Sequence, residues 1–167
     1  MSAQNQPPRE SGGVFFCLLG VCVAGYCYVQ SGGNYHLDRR LGRPHKVTKS
    51  VVQREIDRIA DHRGIPRALA HALARVESSY NHRAESHCGA RGVTQVMPFN
   101  ARRCGLRPEQ LWDPTLNIHC GMQILSEEID RVGNVRDALT VYNCGKVKCK
   151  EGQQYANKVL ELAKQLG

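Results

Sequence analysis

Between Val14 and Val29 the sequence carries no charge, reading V-F-F-C-L-L-G-V-C-V-A-G-Y-C-Y-V. A helix that crosses a bilayer needs about 20 apolar residues, with about 17 as a lower limit. This run stands at that limit and equally suits the apolar core of a secretory signal. It has no polar face to offer water, and a chain of 167 residues is too short to cover it on every side. The run therefore divides the chain. Residues 1–13 are a polar lead with Pro7, Pro8 and Gly12, 14–29 a transmembrane or signal helix, 30–46 a basic linker, and 47–167 one domain.

Cleavage after the run has mixed signals. Ser31, Gly32 and Gly33 are small and suitably placed, but no A-x-A precedes them, and Tyr26 is a poor neighbour for lipidation of Cys27. Arg39, Arg40, Arg43, Lys46 and Lys49 follow the run, which by charge alone argues for a cytoplasmic C-terminal side. The cysteines argue the opposite. Of 8 cysteines, Cys17, Cys22 and Cys27 lie in the apolar run, leaving Cys88, Cys104, Cys120, Cys144 and Cys149 in the domain. There is no C-x-x-C to indicate zinc, and disulfides in an oxidising space account for them better. The odd count leaves at least one without a partner in the domain.

The domain reads as helical throughout, with no alternating strand pattern. Thr48 and Ser50 are good N-caps for a helix whose stripe is Val52, Ile56, Ile59 and Ala60, ended by Gly64. After Pro66 a second helix runs from Arg67 to about Ser79, burying Leu69, Ala72, Leu73 and Val76. Residues 81–95 read as a loop, and Pro98 and Pro108 each start a short helix. Asp113-Pro114 opens a longer helix through Leu116, Ile124, Leu125, Ile129 and Val132 to Gly133. Val135–Tyr142 and a last helix carrying Tyr155, Val159, Leu160, Ala163 and Leu166 complete an all-α globule.

Glu77 is the informative residue. It follows Leu73 by one helical turn and stands near the C-terminal end of its helix, so desolvation and the helix dipole both favour its protonated form. Raised by roughly two units from about 4.3, such a carboxyl donates a proton near neutrality. The loop after it, S-H-C-G-A-R-G-V-T-Q-V-M-P, has glycines that let backbone approach a ligand, with Gln95 and Met97 as polar and apolar contacts. Glu85 lies on a polar stretch beside two histidines and reads as solvated; Asp113 is committed as a helix cap.

The stretch E-S-S-Y-N-H-R-A-E-S-H-C-G-A-R-G-V-T-Q-V-M-P resembles the central motif of the soluble lytic transglycosylase (SLT) domain family. The likeness continues through D-P-T-L-N-I-H-C-G, V-Y-N-C-G and Y-A-N-K-V, in order, from about Val51 to Leu162. The resemblance implies a mainly helical, lysozyme-like fold related to goose-type lysozyme, and Glu77 as single catalytic acid/base. It implies that Ser86 and Gln95 contact sugar, that Met97 lines the groove, and that Tyr142 and Asn143 face Glu77 from the far wall. Ala84, Gly89, Ala90, Gly92 and Pro98 match structural positions. Val93 and Thr94 replace the family's usual leucine and methionine, and Cys144 stands where a small residue is common.

By the same resemblance the chain is a peptidoglycan lytic transglycosylase. It would cleave the MurNAc-GlcNAc β-1,4 bond without water, need no cofactor and act in the cell envelope. The domain would be periplasmic, or virion-associated if phage-encoded, beside an envelope-spanning secretion or conjugation machine or in a phage particle. Two alternatives stay open: a hydrolytic muramidase on the same fold, and a non-catalytic module binding wall or a polyanion.

Other features weigh less. His82, His87 and Cys88 match no strong zinc spacing, so no metal site is expected. The expected disulfides are Cys104–Cys120 and Cys144–Cys149, although sequence does not settle connectivity. The net charge of +8 suits an anionic wall polymer or membrane headgroups and equally nucleic acid. Aromatic residues are too few for a stacking platform, so nucleic acid is not the expected partner. Trp112 is expected in the core.

Overall fold

The computed structural model describes residues 35–37 and 44–167. The expected membrane or signal segment, 14–29, lies outside them, and among the described residues no helix is long and apolar enough to cross a membrane. Five α-helices dominate the described residues: α1 (Lys49–Arg63), α2 (Arg67–Ser78), α3 (Pro114–Val132), α4 (Val135–Cys144) and α5 (Lys150–Leu166). Short 3-10 helices at Pro98–Cys104 and Pro108–Trp112 lie between α2 and α3.

Local chemistry sets the helix ends. The Thr48 side chain accepts from Val51 N, and Gly64 closes α1 in the left-handed region at φ 65°. Asp113 caps α3 by accepting from Leu116 N at 3.0 Å, with Pro114 in the first turn, where its missing N–H costs nothing. Asn134 accepts from Asp137 N at 2.8 Å to start α4. Cys149 caps α5, its sulfur accepting from Gly152 N.

Three expectations change. Residues 30–46 read as linker, yet β1 (Tyr35–Leu37) and β2 (Pro44–Lys46) pair antiparallel, Tyr35 opposite Lys46. Three-residue strands are too short to show an alternating pattern, so sequence gives no sign of them. Helix α4 runs on to Cys144, because Gly145 rather than Cys144 supplies the left-handed stop, at φ 73°. Trp112 is half-buried rather than core, and the Arg91 guanidinium lies 5.3 Å from its ring centroid.

The main core joins all five helices through Ile56, Ile59, Leu73, Ile118, Leu125, Leu139 and Val159, with α5 packed on both α2 and α4. A smaller cluster of Val96, Ala101, Leu111, Cys120 and Ile124 seats the 3-10 segments on α3. The Cys104–Cys120 disulfide fastens the same junction. Arg103 reinforces it, donating to Glu127 at 2.7 Å and to buried Glu128 at 3.0 Å.

Fully buried Asn117 joins the loop to this core. Its Oδ1 accepts from Thr94 N and Thr94 Oγ1, both at 2.9 Å. Its Nδ2 donates to the carbonyls of Arg91 at 2.7 Å and Leu111 at 3.1 Å. Gly92, at φ 77°, lies so close that a Cβ there would overlap the Asn117 amide. Asn117→Ala takes the side-chain partner from Thr94 N and the Leu111 carbonyl, each costing about 1–3 kcal/mol, while the Arg91 carbonyl keeps Val96 N. The expected loss is about 3–4 kcal/mol of unfolding free energy in urea; a loss below about 1 kcal/mol would show the staple to be dispensable.

Candidate active site

Helix α2 buries Leu69, Ala72 and Leu73, and Glu77 follows Leu73 by four residues on the same face. The chain then turns sharply. Ser79 and Tyr80 are both left-handed, at φ 53° and 69°, a strained choice for non-glycine residues. The turn is held from three sides. Ser79 N donates to Arg75 O and Tyr80 N to Ala74 O. Ser78 Oγ donates to Val93 O at 2.8 Å. Tyr80, 7% exposed, has its ring against His71 and under the Lys49 ammonium. The last turn of α2 is thereby locked to the loop, and Glu77 is fixed between them.

The Glu77 side chain is half-buried, and Tyr155 Oη donates to its Oε1 at 2.5 Å. Burial pushes the carboxyl from 4.5 up to about 7; the Tyr155 hydrogen bond and the positive charge of Lys158 pull downward and do not offset it. Tyr142 feels the Glu77 charge from α4, and burial together with that charge holds its phenol protonated. Burial and the adjacent carboxyl do the same for Tyr155. The Tyr142 hydroxyl donates to Thr94 O at 2.8 Å, tying α4 to the loop. The result is a proton-bearing carboxyl flanked by two neutral phenols, poised to give or take a proton near pH 7.

The other expected residues divide. Ser86 holds a tight turn: its N–H donates to Ala90 O at 2.9 Å and its Oγ accepts from Ala90 N at 2.9 Å. Gln95 is left-handed at φ 49° and spends its amide donors on Ala84 O at 3.1 Å and Gly92 O at 2.9 Å. Only its carbonyl oxygen is left to meet a ligand, a narrower role than expected. Met97 is half-buried at the entry to the first 3-10 helix, and Asn143 is half-buried beside Tyr142. Of the expected set, Tyr142 is the residue electrostatically coupled to Glu77.

The sequence gives Tyr155 a place on the last helix and no role in the site, although the Y-A-N-K-V stretch contains it. Local periodicity cannot reveal that a tyrosine on the last helix bonds a glutamate 78 positions earlier. Glu85 is exposed, with its Oε1 3.5 Å from Arg91 Nε. Among the described residues, the three-ligand grouping found is Cys144, Cys149 and Glu151, and its two sulfurs are bonded to each other.

A carboxyl whose folded pKa exceeds its unfolded value binds its proton more tightly when folded. Below about pH 4.5 the group is neutral in both states; from there to about 7 the unfolded chain ionises first and stability falls. The penalty above pH 7 is on the order of 3 kcal/mol. Glu77→Gln removes it and keeps an acceptor for Tyr155. The variant is expected to gain about 1–3 kcal/mol over wild type at pH 8 and far less at pH 4, in urea unfolding. An equal effect at both pH values would show that burial does not disfavour the charge.

The transglycosylase SLT domain family model matches residues 54–163. Over 99 residues the chain is 37% identical to the "Transglycosylase" of Enterobacteria phage PRD1, covering 58% of this chain and 36% of that protein. It is 36% identical over 90 residues to the "Soluble lytic murein transglycosylase" of Escherichia coli K12, covering 48% of this chain and 14% of the relative. The chain thus spans well under half the length of either. In structure it is similar to the 70 kDa soluble lytic transglycosylase of Escherichia coli, with TM-score 0.60 and 26% identity over 66% of this chain and 23% of that one. A comparable likeness, TM-score 0.59 and 25% identity over 68% of this chain and 24% of the other, holds for lytic transglycosylase Slt of Pseudomonas aeruginosa, solved as an inactive glutamate-to-glutamine mutant. With a match that runs from the middle of α1 almost to the end of α5, this chain belongs to the transglycosylase SLT domain family.

Proposed function

We propose that the chain is a peptidoglycan lytic transglycosylase that opens the cell wall locally, with Glu77 as its acid and then its base. The observation that carries this is the Glu77 carboxyl, held near pKa 7 by burial and bonded to Tyr155. Ordinary glycosidases set two carboxylates about 5–10 Å apart across the scissile bond. Among the described residues, the charged and hydrogen-bonding groups acting on Glu77 are Tyr155 and Lys158, neither of them a carboxylate. One acid suffices when the substrate brings its own nucleophile. Family membership and the names of the relatives support the same reading.

In this mechanism Glu77 gives its proton to the oxygen leaving the MurNAc anomeric carbon as the β-1,4 bond to GlcNAc breaks. The resulting carboxylate, stabilised by the Tyr155 hydrogen bond, takes the proton from the MurNAc 6-hydroxyl as that oxygen closes on the anomeric carbon. The product is a 1,6-anhydro-muramyl end, Glu77 regains its proton, and no water is consumed. Ser86, the Gln95 carbonyl oxygen, Met97, Tyr142 and Asn143 form the sugar-binding wall. We assign 47–167 to the enzyme domain, 30–46 to the link and 14–29 to a membrane anchor or export signal. The domain works in the cell envelope, or on a virion, with both disulfides formed.

Digestion of purified peptidoglycan is expected to release muropeptides lighter by one water than hydrolysed ends, as read by mass spectrometry; reducing-end sugars instead would make the chain a muramidase. Glu77→Gln is expected to lower lysis by at least about a thousand-fold while leaving wall binding intact. Retained lysis would overturn the assignment, and binding without lysis in the wild type would make the domain a wall-binding module.

The general acid must carry its proton, so kcat/KM is expected to fall as pH rises through about 7. Tyr155→Phe removes a bond that favours the carboxylate and moves this limb to higher pH. A pH–rate profile left in place by that substitution would remove Tyr155 from the site.

A further inference from the structure

The Cys144–Cys149 disulfide spans the turn from α4 to α5, and those two helices supply the phenols around Glu77. Tyr142 lies two residues before Cys144. Tyr155 lies six residues after Cys149, about 9 Å along α5. Between them Gly152 brings the first turn of α5 against α4. A Cβ at Gly152 would fall 2.7 Å from Thr140 O and 2.8 Å from the Cys144 Cβ, closer than real Cβ contacts allow. Both half-cystines are buried, at 3% and 7% exposure. Cys149 is at once half of the crosslink and the N-cap of α5. The covalent bond therefore sits where α5 sets its register against α4, six residues before the tyrosine that bonds Glu77.

We propose that the Cys144–Cys149 disulfide is a positioning element of the acid site: it holds the first turns of α5 on α4 so that Tyr155 closes over Glu77, and the dithiol form of the chain admits water there. The loop it closes is short, so it removes little freedom from the unfolded chain compared with a long crosslink. Its effect is local. The two thiols become the crosslink by exchange with a disulfide donor, whose own S–S bond is reduced to two thiols as it accepts two electrons and two protons. The acid site is thereby completed only after the chain meets such a donor. This rests on Glu77 being the acid of the proposed reaction.

The groups facing Glu77 are Tyr155 and Lys158 from α5 and Tyr142 from α4. Burial is the largest influence on the carboxyl and acts upward. Opening the α4–α5 turn relieves burial and moves its titration down, the opposite direction from Tyr155→Phe, which removes a hydrogen bond without opening the helices. The two perturbations are thus separable by sign.

The test uses the chain of 167 residues in mild detergent, labelled with carboxyl-13C glutamate, the Glu77 signal being identified by its loss in Glu77→Gln. The double variant Cys144→Ala/Cys149→Ser removes the bond while keeping a small residue at 144 and a capping oxygen for Gly152 N at 149. Its Glu77 midpoint is expected to fall by at least one pH unit, a tenfold weaker hold on the proton. Wild type reduced with dithiothreitol is expected to show the same shift. Cys104→Ser/Cys120→Ser, which opens the other disulfide, is expected to leave the midpoint in place. An unchanged midpoint in the double variant overturns the proposal. So does outright unfolding of that variant, which would make the bond a general brace. Absence of wall lysis by the oxidised chain would instead sink the transglycosylase reading and leave the titration result standing.

Discussion

The structure depends on one buried amide. Asn117 satisfies four loop and core groups with a side chain that has four hydrogen-bonding positions to give. A loop rich in glycine has little apolar surface with which to anchor itself, and its buried backbone groups cannot be left unpaired. Asn117 resolves both problems from the rigid first turns of α3. Through Thr94 the effect reaches further: the Thr94 carbonyl receives Tyr142, so the loop, α3 and α4 are set by one connected group of bonds.

This also explains a departure from the family pattern. Threonine at 94, where the family usually has methionine, puts a hydroxyl into a fully buried position. Such a group is tolerated only with a partner. Its Oγ1 donates to Asn117 Oδ1 at 2.9 Å, within reach also of the Asn117 carbonyl at 3.1 Å. Gly121 makes room, since a Cβ there would overlap Thr94 and crowd the Tyr142 hydroxyl. The substitution is accommodated by residues that also shape the site.

Glu77 shows how opposing electrostatic effects are ranked. Tyr155 and Lys158 favour the carboxylate, yet burial outweighs both. The same hydrogen bond does not suffice to ionise the carboxyl at rest, and it stabilises the carboxylate once the proton has left. Strain accompanies this arrangement: among the described residues the left-handed non-glycine residues, Ser79, Tyr80 and Gln95, all bracket the loop that follows Glu77. Such strain persists only where surrounding contacts over-determine the backbone, and Ser78, Tyr80 and the Gln95 amide supply those contacts.

Much was legible in the sequence, because helix signals are local. Thr48, Gly64, Asp113-Pro114 and Gly133 mark helix ends by the chemistry of their own side chains or backbones. The stripe Val52, Ile56, Ile59 and Ala60 exposes its period to inspection, and Glu77 after Leu73 is read from the same spacing. Tertiary structure alone decided the rest. The Tyr155–Glu77 bond, the Asn117 staple and the turning of the Gln95 amide into its own loop join residues far apart in the chain or depend on a left-handed backbone. Neither periodicity nor capping carries information about which distant groups must share a buried hydrogen bond. Only packing brings them within hydrogen-bonding distance, where an unpaired partner becomes costly.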